Sequence, residues 1–139
     1  MDLVVLDTNV LVSAFFTPHG LTSEIFDALE LGRFELIISE YIINELTRVL
    51  ENKLQIRRDL VSSYLDELRY VAAVVKPVSI RTSKLDPNDW PILGTALAGR
   101  ATYLVSGDKK FLSLKKFRLI KILSPREFID EVTYDGSNL

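Results

Sequence analysis

Two aspartates directly follow short apolar segments that are typical of buried strands. Asp7 comes after the run LVVL, and Asp108 follows YLVSG. A third aspartate, Asp89, falls in the first turn of a predicted helix. In open α/β sheets, ligands collect at the carboxyl ends of the strands, and an acid at a helix start can meet them there. The spacing therefore predicts an acidic pocket at one edge of a sheet.

Carboxylates gathered in one cleft repel each other, and at neutral pH they stay ionised only if a cation holds them. The sequence has no cysteine and a single histidine. A metal would therefore have to be a hard, oxygen-liking cation such as Mg²⁺ or Mn²⁺. Such an ion can activate a water molecule and neutralise the charge that develops on a phosphodiester during its displacement. These residues favour metal-dependent phosphodiester hydrolysis.

Each of these acids also has a plainer explanation. An aspartate after a strand commonly forms an Asx turn or a helix cap, which would account for Asp7 or Asp108 taken alone. Asp89 would serve as an N-cap in the same way. Asp86, three residues earlier, precedes a proline and is more typical of a turn. The sequence leaves open which of Asp86 and Asp89 faces the metal.

Strands alternate with helices along the chain, which predicts a three-layer α/β domain with a central parallel sheet. We expect one domain over residues 1–133 and a frayed tail over 134–139. Strands are predicted at 3–6, 35–38, 73–78, 102–105 and 119–123. The intervening helices include one that begins after Ser39 and carries Glu45 in its middle, and one that begins with a capping box between Ser124 and Glu127.

The composition is that of a folded domain. The chain has 139 residues, of which 47% are hydrophobic and 26% charged, far from the signature of disorder. Its apolar runs are shorter than the about 20 residues that a membrane span needs, and its N-terminus lacks the pattern of a signal peptide. We therefore expect a cytoplasmic protein without a membrane segment.

Positive charge near the acids would have to act locally. The net charge of −2 gives no long-range attraction to nucleic acid. Lys109 and Lys110 follow Asp108 directly and are placed to contact the phosphates on either side of a scissile bond. Such clusters are usually only a solvated face, and Arg57 and Arg58 form another of them. Trp90 is expected to pack against the core rather than to stack on a base.

Three segments, in order and with familiar spacing, resemble the PIN domain, specifically its VapC-like toxin branch. They are VVLDTNVLVSAFF, DWPILGTALAG and YLVSGDKKFL, with Glu45 on a helix between the first two. The resemblance covers nearly the whole chain. It implies a parallel sheet flanked by helices, a negatively charged pocket that binds Mg²⁺ or Mn²⁺, and ribonuclease activity. The four acids of the family fall by position on Asp7, Glu45, Asp89 and Asp108.

The resemblance also implies supporting residues and partners. Thr8 or Asn9, and Ser106, fall where the family places small polar residues that support the acids through hydrogen bonds. Many bacterial and archaeal members are toxins held inactive by a cognate antitoxin. RNA as substrate, an antitoxin partner and a homodimer are therefore expected from the family.

Other classes fit the sequence less well. A phosphatase of the haloacid dehalogenase type also has an aspartate after its first strand, but it needs a second one two positions later, where this chain has Asn9. Receiver domains carry their phosphoacceptor at a later strand end. A non-catalytic PIN-like scaffold that binds RNA or a partner would be marked by the loss of an acid, and all four are present.

Overall fold

The computed structural model describes residues 1–17 and 19–134. Within these residues one sheet contains β1 (Leu3–Leu6), β2 (Glu35–Ile38), β3 (Ala72–Val74), β4 (Tyr103–Val105), β5 (Lys116–Phe117) and β6 (Ile120–Leu123). The strand order is β3-β2-β1-β4-β6-β5. All neighbouring strands are parallel except β5, which pairs antiparallel with β6 at the edge.

Seven helices flank this sheet in the described residues and complete the three layers. They are α1 (Thr8–Phe16), α2 (Leu21–Glu30), α3 (Glu40–Thr47), α4 (Arg58–Val71), α5 (Trp90–Ala98), α6 (Lys109–Leu114) and α7 (Pro125–Tyr134). A π-helical segment, Arg48–Lys53, continues α3, and a 3₁₀ turn, Pro87–Asp89, precedes α5. The expected α/β fold with a central parallel sheet is confirmed.

The centre of the sheet sets the position of the first acid. β1 lies between β2 and β4, and Val4 and Val5 are fully buried because helices cover both faces of a central parallel strand. Leu6 is in register with Val105 of β4, and the Asp7 N–H donates to the Val105 carbonyl over 2.9 Å. The residues that follow β1 and β4 therefore emerge side by side at the carboxyl edge.

The third strand, predicted at 73–78, is shorter and spans Ala72–Val74, with the Val75 N–H still donating to the Ile38 carbonyl of β2 over 2.8 Å. Pro77 has no N–H to donate to a sheet ladder, and the Val78 N–H donates instead to the Gly94 carbonyl of α5 over 3.1 Å. A β-carbon on Gly94 would lie 2.2 Å from the Val78 carbonyl oxygen, so this close contact requires glycine. The segment after β3 thus packs on α5, the helix that follows Asp89.

The capping box predicted at the start of α7 is present. The Glu127 N–H donates to the Ser124 hydroxyl over 3.2 Å, and the Ser124 N–H donates to a Glu127 carboxylate oxygen over 2.9 Å. α7 extends to Tyr134, and residues 135–139 of the predicted tail lie outside the described residues. No helix in the described ranges is long and apolar enough to span a membrane.

Candidate active site

Asp7 is buried at the carboxyl end of β1 with both carboxylate oxygens hydrogen-bonded. The side chain is only 5% exposed. Its Oδ1 accepts from the Thr8 N–H at the start of α1 over 2.7 Å, and its Oδ2 accepts from the Ser106 hydroxyl over 2.7 Å. Thr8 follows β1 and Ser106 follows β4, which are neighbouring strands. The register of β1 with β4 therefore fixes the orientation of the carboxylate.

Asp108 lies in the same loop as Ser106. The Ser106 hydroxyl oxygen accepts from the Asp108 N–H over 3.0 Å, which ties the loop to Asp7. Oδ1 of Asp108 caps α6 by accepting from the Lys110 N–H over 2.9 Å. The capping explanation is therefore true of both Asp7 and Asp108, but it uses only one oxygen of each.

Glu45 reaches the site from the middle of α3. Its Oε1 accepts a short hydrogen bond from the Thr8 hydroxyl. Thr8 consequently holds two acids, Asp7 through its backbone and Glu45 through its side chain. The start of α3 is fixed by Ser39, whose hydroxyl accepts from the Ile42 N–H over 3.4 Å and from the buried Thr95 hydroxyl of α5 over 2.8 Å.

Asp89 ends the 3₁₀ turn before α5 and is half-buried. Its side chain makes no capping hydrogen bond to α5, so the N-cap explanation does not account for this carboxylate. Burial raises the pKa of Asp89 above its ordinary value, and the negative charges of Asp108, Asp86 and Glu45 raise it further, while Lys110 opposes them. Asp89 therefore lies within electrostatic reach of Asp86 in its own turn and of acids from two other segments, Asp108 and Glu45.

The pKa of the Asp7 carboxyl is raised from 3.8 to about 6, and burial is the largest of its causes. The hydrogen bonds from Ser106 and Thr8 lower this pKa, and the charges of Asp89 and Glu45 raise it again. The fold thus brings together the four acids that the sequence analysis singled out.

Asp86 and the two lysines lie at the rim of this cluster. The Lys110 ammonium pairs with Oδ2 of Asp86 over 3.1 Å, with both side chains 62% exposed. Lys109 is exposed and forms no ion pair within the described residues. Asp86 is therefore close to Asp89 but engaged by Lys110.

The other residues singled out from the sequence have distinct surroundings. Asn9 is exposed and makes no hydrogen bond to the acids in the described part of the chain, in contrast to Thr8 and Ser106. Trp90 packs against the core, and its indole N–H donates to the Thr82 carbonyl over 2.9 Å. This contact anchors the connector that leads into the 3₁₀ turn.

Sequence reasoning missed a groove beside Glu45. It has a volume of about 440 Å³ and is lined by Tyr41, Asn44, Glu45, Arg48 and Asn88. The Tyr41 hydroxyl donates to the Asn88 carbonyl over 2.7 Å and so links α3 to the turn that carries Asp89. Four of the lining residues have the spacing of one helix face around Glu45, a signal that was available in the sequence.

The donor set suits a hard divalent cation, because the clustered side chains offer carboxylate and hydroxyl oxygens and no sulfur or imidazole. In the arrangement seen here, however, residues 1–17 and 19–134 contain no group of three Asp, Glu or His side chains that could hold a metal ion. The chemistry of the donors fits a metal, while their spacing is wider than that of a formed site.

The fold and the site define an α/β protein with an acidic cluster at the carboxyl edge of a mostly parallel sheet. Residues 3–110 match the PIN domain, and the chain belongs to the PIN domain family, whose members are in general nucleases. All four acids lie within the matched residues. The family assignment decides against the phosphatase and receiver alternatives.

Two further comparisons show a relative in sequence and a chain with a similar fold. The uncharacterized protein MJ1680 of Methanocaldococcus jannaschii is 27% identical over 140 residues, covering 92% of this chain and 90% of that protein. A chain in the crystal structure of VapBC2 from Rickettsia felis, bound to a DNA fragment from their promoter, has the same fold with a TM-score of 0.59 and 19% identity. The alignment covers 88% of this chain and 98% of that one.

Proposed function

We propose that this chain is a metal-dependent endoribonuclease, the toxin of a toxin–antitoxin pair, that hydrolyses RNA phosphodiesters in the cytoplasm. The observation that carries the proposal is the convergence of four acids from four segments of a PIN domain: Thr8 joins Asp7 to Glu45, Ser106 joins Asp7 to the Asp108 backbone, and Asp89 lies within electrostatic reach of Glu45 and Asp108. Cleavage of single-stranded RNA by the purified chain, dependent on Mg²⁺ or Mn²⁺ and on Asp7, tests it.

Asp7, Asp89 and Asp108 would hold the ion, with Glu45 joining directly or through water. The bound ion would supply an activated water molecule and neutralise charge on the phosphodiester. The protein's own part is orientation: Ser106 and Thr8 fix the Asp7 carboxylate, and the Thr8 hydroxyl fixes Glu45.

The alternative is a PIN-like scaffold that binds RNA or a partner without cutting. The presence of all four acids argues against it, whereas the lack, within the described residues, of three Asp, Glu or His side chains grouped to hold a metal ion is an observation on its side. A purified chain that binds RNA but never cleaves it with either metal would favour the scaffold over the nuclease.

An antitoxin partner and a homodimer belong to the same proposal. The support for the partner is the fold shared with a chain of VapBC2, and the support for the dimer is the family alone. We expect sedimentation at micromolar concentration to give twice the mass of the 15.8 kDa chain. A single species at the monomer mass would contradict the homodimer.

We expect the Lys109→Ala/Lys110→Ala double variant to bind single-stranded RNA with a weaker dependence on salt. Each lost phosphate contact reduces the log–log slope by about 0.7. Metal binding should be retained, because removing Lys110 leaves Asp86 unpaired and makes the rim more negative.

The matched control is Lys116→Ala/Lys121→Ala, which removes the same charge from exposed partners in the β5–β6 hairpin. Fluorescence anisotropy at several salt concentrations measures the slope for the parent and for both variants. An unchanged slope in the Lys109/Lys110 variant would show that these lysines are only a solvated face.

A further inference from the structure

We propose that the groove beside Glu45 binds one nucleotide of single-stranded RNA next to the scissile phosphate, with Arg48 contacting a phosphate and the Tyr41 ring contacting a base. This inference rests on the proposed function and extends it, because it assigns a substrate-binding role to residues outside the carboxylate cluster. The groove shares Glu45 with the cluster, so a nucleotide bound there would lie beside one of the four acids.

The chemistry of the lining suits a nucleotide. Positions 41, 44, 45 and 48 follow helical spacing and form one wall, and Asn88, which is hydrogen-bonded to Tyr41, completes the lining. Besides the Glu45 carboxylate, the lining offers a planar ring, two amides and a guanidinium, which are groups that recognise bases and phosphates in single strands. A volume of about 440 Å³ falls within the range of small-molecule sites.

Arg48 is the cation of this wall, and its charge is available. It is exposed and forms no ion pair within the described residues, whereas Lys110 on the rim of the cluster is paired with Asp86. It also lies close to Tyr41: burial, Glu45 and Asp89 raise the pKa of the Tyr41 hydroxyl, and Arg48 lowers it. A cation beside two acids of the cluster offsets their repulsion of an approaching phosphate.

Tyr41 is held in place for a contact with a base. Its hydroxyl donates to the Asn88 carbonyl over 2.7 Å, and its ring packs partly against the core. A ring fixed at both ends loses little conformational freedom on binding, which favours stacking. Stacking is tolerant of sequence because every base has a π face.

The experiment measures anisotropy of a labelled single-stranded RNA in the Asp7→Asn background, with the RNA checked for integrity afterwards. Arg48→Ala should lower the log–log salt slope by about 0.7. Arg33→Ala is the matched control, because Arg33 is equally exposed but precedes β2 at the opposite edge of the sheet. It should leave the slope at the parent's value.

The ring is tested separately by two substitutions of Tyr41. Tyr41→Leu should weaken RNA binding on the order of tenfold with an unchanged salt slope, because stacking is not ionic. Tyr41→Phe keeps the ring but loses the hydrogen bond to the Asn88 carbonyl, so it should lose clearly less affinity than Tyr41→Leu does. Circular dichroism spectra matching the parent's show that each variant is folded.

The outcomes separate this inference from the nuclease proposal. If the unmodified chain cleaves RNA but Arg48→Ala keeps the parent's slope and affinity, the groove assignment is overturned and the nuclease stands. If Arg48→Ala and Tyr41→Leu both act as expected in a chain that never cleaves RNA, the groove assignment stands and the nuclease proposal fails.

Discussion

Replacing Asp7 with asparagine is expected to lower the rate of RNA cleavage by at least about 1000-fold while the fold survives. The change keeps the shape of the side chain but removes the charge of the most deeply buried acid of the cluster. Charge stabilisation by a bound metal contributes several kcal/mol to such reactions, and about 1.4 kcal/mol corresponds to tenfold in rate. Initial rates on a labelled single-stranded RNA measure the effect.

The matched control is Asp130→Asn, an equally conservative change at an exposed position of α7. We expect it to leave the cleavage rate at the parent's value. Full cleavage by a purified Asp7→Asn variant, free of contaminating nuclease, would contradict the assignment of Asp7.

The same variant should be more stable than the parent when metal is chelated. The pKa of Asp7 is raised in the folded state from 3.8 to about 6, so the folded protein binds this proton more tightly than the unfolded chain does. The contribution of Asp7 to the free energy of unfolding therefore falls as pH rises through this window, by about 3 kcal/mol in all. The stabilisation by Asp7→Asn should be largest at pH 7 and smaller at pH 5, as measured by urea unfolding.

Chelation of divalent metal is expected to abolish RNA cleavage, and Mg²⁺ or Mn²⁺ should restore it. The reason is that the acids cannot supply an activated water or neutralise a phosphodiester without a cation. Metal added at about 100 times its Kd should also stabilise the fold by about 2.7 kcal/mol, which corresponds to roughly 10 °C in the melting temperature. Asp7→Asn should show a much smaller thermal shift.

Cleavage that continues undiminished in excess chelator would contradict the proposed metal dependence. Dialysis against chelator before the assay removes metal carried through purification. Ca²⁺ provides a useful comparison, since it prefers more ligands at longer distances than Mg²⁺ does.

Much of the sheet could be predicted because its central strands have a simple sequence signature. LVVL has no polar alternation, as expected of a strand covered on both faces, and it forms β1 at the middle of the sheet. The ends of such strands are also predictable, which placed Asp7 and Asp108 at the same edge. The capping box could also be predicted, because both of its hydrogen bonds join residues only three positions apart, Ser124 and Glu127.

Features that depend on distant contacts were not predictable from the sequence. β3 ends early because the Val78 N–H donates to the Gly94 carbonyl, and these two residues are separated by 16 positions in the sequence. β5 is only two residues long, too short to show any alternation, and it forms through its pairing with β6. The pairing of Lys110 with Asp86 likewise required the positions of two loops.

The candidate site likewise has features that local sequence signals predict and features that depend on distant contacts. Two strand ends and a helix start indicated Asp7, Asp108 and Asp89, whereas Glu45 in the middle of a helix is indicated only by the family resemblance. The donation from Thr8 to Glu45 joins the first turn of α1 to the middle of α3 and has no local signature. The helical spacing of Tyr41, Glu45 and Arg48 can be recognised in the sequence. The groove itself forms only because α3 packs beside the turn that carries Asp89, which the sequence does not indicate.

The most direct test of the account is a crystal structure of the chain grown with Mn²⁺, with an anomalous difference map. We expect a peak bounded by oxygens of Asp7, Asp89 and Asp108 at roughly 2.0 to 2.2 Å, with Glu45 reaching the ion directly or through a water molecule. Asp7→Asn crystals provide the control and should show a much weaker peak. A fully occupied Mn²⁺ elsewhere with none at these carboxylates, or carboxylates that lie on different faces of the molecule, would contradict the account.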